Sequence, residues 1–285
     1  MNLSEAFLEY IEMYVQPYQS IKTVWQFQYA QRSITAYGNP DLKDLDQDFI
    51  RKWQYSLLKR GLSPNTVRGN TEKLRKVLKY HYAKGNDCLS PDLVHSPAKV
   101  CTNPEWLTER EVNKVIKLAL KPRERCSKLN QARLGAMIAL LYSTGLRVSE
   151  MAKLDIKDIE QDTIPIIGKM SKHRLVFIDK RSRRLLNQYL NLREDDNPAL
   201  FVSGKGYRLD TCKIRLQFRK LSKLYGKRIH PHTLRHSYAT NLLGNGCHIY
   251  TLQRLMGHSN IVSTSVYLHV LDPELQEAYS KFHSC

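Results

Sequence analysis

Several features that would place this chain in a specialised environment are missing. Its six cysteines, at positions 88, 101, 126, 212, 247 and 285, form no CxxC pair, which speaks against a zinc ribbon or a disulfide framework and for a reduced, cytoplasmic setting. The longest nearly apolar run, residues 134–142, is about half of what a membrane span needs. Glu5 and Glu9 stand where a secretion signal would carry positive charge. No glycine-rich phosphate loop and no HExxH motif occurs, so neither nucleotide nor zinc chemistry is supported. Acidic residues are scarce too: 27 Asp and Glu face 45 Lys and Arg, a formal charge of +18 at pH 7.

What is present reads as a folded, basic protein. Apolar residues make up 42% and charged residues 25% of 285 positions, enough for one large domain or two ordinary ones with real cores. A one-sign surplus of this size costs self-repulsion, and it points to a polyanionic partner, nucleic acid first, with a merely solvated basic surface as the alternative. Pro91, Pro97 and Pro104 punctuate residues 89–106, a stretch without helical or strand period. The expected division is a helical domain over 1–95, a linker over 96–106 and a second domain over 107–285. Residues 1–100 hold 14 basic and 10 acidic side chains and the remainder 31 and 17, so the second part carries most of the charge.

Leu3, Phe7, Ile11, Tyr14 and Val15 recur at spacings of three and four, predicting a helix with one buried stripe. Ser63-Pro64-Asn65 opens another, with Val67, Leu74, Leu78 and Tyr82 on its core face. Arg68, Lys73, Arg75, Lys76 and Lys79 lie between and around these and form a basic face that suits DNA phosphates as well as it suits water. In the second part, Thr108 and Glu111 make a capping-box signature ahead of Val112, Val115, Ile116 and Leu120. Residues 132–143 are apolar nearly all round and end at Gly145, which predicts a central helix with a left-handed cap. Residues 163–167 and 174–178 are short β-branched runs that read as an antiparallel hairpin with a basic tip. Helical patterns return from Asp210 onward, so the fold class is mainly α, an α+β chain with one small antiparallel sheet.

Five clusters could carry chemistry. Arg147 follows the corner Thr144-Gly145-Leu146, where it could serve a site or simply pair with Glu150. Lys169 and Lys172 sit at the hairpin tip, with Arg174 entering the strand behind them. His232 and Arg235, at i and i+3 after Pro231, share one helix face. His258 falls in a break after Gly257, and Tyr267 is one of 16 tyrosines. His230, His232, His236 and His258 raise the question of zinc, but their spacing is wrong and the nearby arginines would repel a dication, so no metal and no cofactor is expected. Two arginines, a lysine, two histidines and a tyrosine can instead act on a phosphodiester without a metal. The arginines would hold the non-bridging oxygens and the tyrosine would attack.

These motifs, in this order, resemble the tyrosine recombinases of the phage integrase family, including its compact Xer-like and transposon-borne members. LYSTGLRVSE at 141–150 is similar to the family's first arginine box and IIGKMSKHRLVFI at 166–178 to its lysine hairpin. HPHTLRHSYATNLL at 230–243 is similar to its HxxR box, and LMGHSNIVSTSVYLHV at 255–270 to its histidine and tyrosine box. The resemblance covers almost all of the second part, while the first resembles the family's helical core-binding domain in outline. It implies a site-specific DNA recombinase acting through a 3′-phosphotyrosine and a four-way junction. By that resemblance Arg147 and Arg235 clamp the phosphate and Tyr267 attacks it, while Lys169 protonates the leaving 5′ oxygen. His232 assists proton transfer at the tyrosine, His258 hydrogen-bonds the phosphate, and Glu150 orients its neighbours. Lys172 competes with Lys169 for the acid role, because Met170 departs from the family's small residue there. The implied partners are double-stranded DNA with paired half-sites, a homotetramer on two such sites, and accessory DNA-binding proteins or sites. A helix from about 272, with Leu275, Ala278 and Phe282 as its stripe, would dock on a neighbouring protomer or fold back on its own domain. The competing readings are a type IB topoisomerase, which rejoins the same strand, and a non-catalytic DNA-binding regulator.

Overall fold

In the computed structural model the described residues are 1–100, 105–124, 126–167, 173–257, 264 and 267. They fall into two compact units, Met1–Thr102 and Asn103–Cys285. Among the described residues no helix is long and apolar enough to cross a membrane.

The first unit is built from four helices: α1 (Leu3–Tyr10), α2 (Ile21–Thr35), α3 (Gln47–Lys59) and α4 (Pro64–Ala83). Each starts on a side-chain cap, from Asn2, Ser20, Asp46 and Ser63 respectively, which satisfies an amide that the helix leaves open. The α1 stripe runs on through a π-turn at Ile11–Val15, so that Leu3, Phe7, Ile11 and Val15 are buried. The extra residue per turn rotates Tyr14 out to solvent, against the stripe read from the sequence. Val67, Leu74 and Leu78 of α4 are buried as the spacing predicts, whereas Tyr82, the penultimate residue of the helix, is exposed. Trp53 of α3 is fully buried and donates its indole N–H to the Ser33 carbonyl at 3.3 Å.

Residues 95–100 are held by α3 and α4. Gln54 donates to the His95 carbonyl (2.9 Å), Arg68 to that of Pro97 (2.9 Å), and Asn65 exchanges two hydrogen bonds with Val100. Ser96 adds a bond to Glu72 at 2.7 Å. An extended proline-containing segment cannot pair its own backbone groups, and the side chains of α4 do so instead. The opening of the stretch expected to be a linker is therefore tied to the first unit.

The second unit is organised around α6 (Lys128–Thr144), which follows α5 (Glu109–Leu120) and is buried along nearly its whole length. A helix apolar all round must lie inside a core, and α5, α8 (Lys180–Leu190) and α10 (Pro231–Gly244) pack against it. The expected Thr108–Glu111 capping box opens α5. Gly145 ends α6 in the left-handed conformation, φ 60°, and a Cβ there would come within 2.5 Å of the Tyr238 ring. Glycine thus lets the chain turn closely against α10 into the short α7 (Val148–Met151).

The sheet is one antiparallel pair, β1 (Thr163–Ile167) and β2 (His173–Phe177), in the register Ile164↔Val176 and Ile166↔Arg174. These four residues make its buried face. Two further helices, α9 (Thr211–Tyr225, capped by Asp210) and α11 (Ile249–Met256), complete the described part of the unit.

Candidate active site

The α6–α7 corner fixes the first arginine. Arg147 takes the N-cap position of α7; its backbone N–H donates to Glu150 at 2.7 Å and its guanidinium to the same carboxylate at 2.9 Å. The pairing open at the level of sequence is therefore made, and it orients the arginine rather than hiding it, since about a third of the side chain stays exposed.

Glu150 also receives Arg174 from β2 in a two-pronged contact, at 2.6 and 3.1 Å. That Arg174 side chain is only 5% exposed. It stood among the expected DNA contacts, but strand alternation turns it inward to the carboxylate. It passes so near the left-handed Gly257 that a Cβ there would meet its Cδ at 2.8 Å. Burial alone would raise the Glu150 pKa; hydrogen bonds from Arg174 and from the Arg147 backbone outweigh it and bring the group down to about 2. The carboxylate is thus a fixed negative charge that two guanidiniums share.

Arg235 lies on α10 and is 4% exposed. It donates to the carbonyl of Gly145 and, at 2.7 Å, to that of Met256, tying the α6–α7 corner to the C-terminus of α11. Burial, reinforced by Arg147, lowers its pKa to about 10, so it remains a cation at neutral pH. Three guanidiniums are thereby gathered about one corner, a setting that favours a bound anion.

Tyr267 packs among Ala239, Leu243, Leu252 and Met256 and is 2% exposed. Burial pushes its hydroxyl up to about 12, with Arg235 pulling the other way. The histidine at that hydroxyl is not His232. His236 Nδ1 stands 2.7 Å from Tyr267 Oη, with the rings 5.6 Å apart between centroids. His232 is exposed; desolvation of its ring and the charges of His230, Arg235, Arg215 and Arg147 lower its pKa. His230 caps α10, its Nδ1 accepting from the Thr233 N–H at 2.9 Å. His236 was read from sequence only as one of four histidines unsuited to a metal. No signal in the sequence singles it out, because its partner lies 31 positions away.

Lys169, Lys172, His258 and the helix expected from about 272 lie outside the described residues. On α4, three of the five expected DNA contacts are engaged locally. Arg68 binds Pro97 and Glu72, Arg75 binds Pro91 and Asp92, and Lys73 donates to the Gly69 carbonyl at 2.8 Å. Lys76 and Lys79 are exposed, with no ion pair among the described residues.

Comparison with known proteins identifies the family. Residues 105–274 match the phage integrase family and residues 6–95 the phage integrase SAM-like domain. The chain is 32% identical over 249 residues to tyrosine recombinase XerC of Thermodesulfovibrio yellowstonii, covering 82% of this chain and 81% of that one. It is 31% identical over 264 residues to tyrosine recombinase XerD of Rhizobium meliloti, covering 88% and 85%. The Tn1549 transposon integrase in complex with transposon right end DNA shares the fold at a TM-score of 0.80, with 19% identity and full coverage of both chains. The chain belongs to the phage integrase family, among the tyrosine recombinases.

Proposed function

We propose that this recombinase cuts and rejoins DNA at specific sites through a covalent 3′-phosphotyrosine on Tyr267. The observation that carries the reading is the convergence of Arg147 and Arg235 on one corner, with Arg235 bonded to the carbonyl of Met256, a member of the cluster that buries Tyr267. A phosphodiester held there would have its non-bridging oxygens on the two guanidiniums, which also offset the charge that grows as the pentavalent state forms. The Tyr267 oxygen then attacks phosphorus, the bond to the 5′ oxygen breaks, and Lys169 or Lys172 supplies the proton that oxygen needs. Because the ester energy is kept in the phosphotyrosine, a second strand's 5′-hydroxyl can reverse the step without a nucleotide cofactor. Glu150 holds Arg147 in place throughout, His258 is assigned to the phosphate, and the family resemblance assigns His232 to proton transfer at the tyrosine.

Recombination on this scheme uses two double-stranded sites, each of paired half-sites, a homotetramer and a four-way junction, together with accessory DNA-binding proteins or sites. Residues 1–95 would serve as the core-binding domain, 96–106 as the linker and 107–285 as the catalytic domain, with the helix from about 272 docking on a neighbour. Support comes from the relatives named as Xer recombinases and from the basic surplus, which suits a polyanion.

The test uses a nicked site that sheds a short 5′-hydroxyl fragment after cleavage. The full chain should become covalently trapped on it in EDTA, and Tyr267→Phe should bind the site equally well with no trapping. A strict requirement for Mg²⁺, or trapping by Tyr267→Phe, would overturn the mechanism. Relaxation of supercoils with no joint molecules between two DNAs would turn the reading to a topoisomerase.

A further inference from the structure

Catalysis at Tyr267 requires that its phenolic proton leave as the oxygen bonds to phosphorus, and the side chain in contact with that oxygen is His236. We propose that His236 is a catalytic residue of this recombinase: through Nδ1 it accepts the Tyr267 proton during cleavage and returns it during rejoining. The inference rests on Tyr267 being the nucleophile, and it gives the base role to a residue other than His232.

The geometry comes first. At 2.7 Å the contact is within the range for proton transfer without a bridging water. His236 and Arg235 are consecutive on α10, and Arg235 is tied to two carbonyls. Arg235 and His236 are therefore carried by one helix, which also holds the imidazole at the Tyr267 oxygen. His232, one turn back, opens to solvent.

The charge state agrees. Burial, then His232, His230 and Arg235, hold the His236 imidazole down to about 4, so it is neutral at working pH. Tyr267, held up to about 12, keeps its proton. A phenol is a better donor than a neutral imidazole, which places the hydrogen on Oη, pointing at an unprotonated Nδ1, with the ring proton on Nε2. Free ionisation would be steeply uphill across that gap, so the transfer belongs in the attack itself, when bonding to phosphorus makes the phenol far more acidic. An incoming phosphodiester also adds negative charge next to the cations that depress the imidazole. The balance is complete: the Oη–H bond breaks as Oη–P forms, Nδ1 gains the proton, and the 5′ oxygen leaves with a proton from the separate acid.

The experiment measures single-turnover trapping on the nicked site. His236→Asn keeps a hydrogen-bond acceptor near Oη but no base, so it should bind DNA as the parent does and trap about a hundredfold more slowly. His236→Ala opens a space beside Oη, and added imidazole should restore its rate at least tenfold while leaving the parent protein unchanged. Normal or faster trapping by His236→Asn would reduce the residue to a tether, and failure of imidazole to act on a folded, DNA-binding His236→Ala would also overturn the proposal. Tyr267→Phe run alongside separates the two levels. Trapping by that variant would remove the nucleophile itself, whereas normal trapping by His236→Asn would remove only the base.

Discussion

Among the described residues, the first unit buries the polar side chains of Asn70, Thr71 and His81 but no arginine or lysine, whereas the second buries Arg133, Arg174 and Arg235. His81 is explained by structure alone: Nε2 meets the Ala6 carbonyl at 3.0 Å and Nδ1 the Asn86 amide at 2.9 Å, which pins α1 to α4. A buried guanidinium is another matter, because desolvating a fixed cation is costly and an apolar replacement often serves stability as well. Two of the three arginines line the corner assigned to the phosphate. The third, Arg133, donates to the Val202 carbonyl at 2.6 Å, the one hydrogen bond of its side chain among the described residues. The contrast teaches that the second unit gives up packing economy where a charge must be held still, and that burial by itself does not mark which arginine is chemical.

The sharpest way to break that comparison is to remove equally buried arginines with different neighbours. Arg235→Ala should slow covalent trapping by about a thousandfold, the scale of losing one preorganised charge from a transition state, with much less effect on site binding. Arg133→Met should leave the trapping rate unchanged and lower stability by about 1–3 kcal/mol, because the Val202 carbonyl loses its donor. Equal losses of rate in the two variants would mean that buried charge in this unit acts as a single structural network.

Ion pairs offer the next comparison. Arg174→Met leaves the buried Glu150 short of its main partner and should destabilise the second unit by about 3–5 kcal/mol. Lys84→Met in the first unit breaks the exposed pair with Glu9 and should cost about 0–1 kcal/mol, both read from urea midpoints. Acid sharpens the same point. The folded Glu150 titrates at about 2 against an ordinary 4.5, so its contribution is complete above pH 4.5 and disappears as pH falls toward 2. About 3 kcal/mol should be lost from the second unit across that window, and Glu150→Gln should flatten the dependence.

Much of this was legible from local rules. Capping residues, the apolar run of α6 and the Gly145 stop each depend on a few neighbouring positions, so α5 and α6 could be placed from sequence, whereas α8 (Lys180–Leu190) forms in the stretch between the hairpin and Asp210, where no helix was expected. Arg147 and Glu150 could be paired for the same reason, being three residues apart. Arg174 was misplaced even though its strand was recognised: in β2 it alternates in phase with Val176, and that period puts it on the inner face. Hairpin cations were read by their nearness to the tip, when the two-residue period should have decided. The contact of His236 with Tyr267 spans 31 positions, and no local pattern encodes a partner at that distance.

The smallest expected effect separates cations that look alike in sequence. Lys76, Lys79 and Arg75 lie within one turn or so of α4, yet Arg75 is occupied by the Pro91 carbonyl at 3.1 Å and by Asp92, while both lysines face solvent. A lysine that meets a phosphate releases a counterion, so its loss should reduce the slope of log affinity against log salt by about one and weaken binding only a few-fold at moderate salt. Lys76→Ala and Lys79→Ala should each do this without slowing trapping at saturating protein. Arg75→Ala should keep the slope and instead loosen the 91–93 turn, seen as a modest fall in the first unit's thermal midpoint. An unchanged slope in both lysine variants would leave this helix a solvated face and move DNA contact in the first unit to another of its helices; a reduced slope in Arg75→Ala would mean that DNA displaces the turn to reach that arginine.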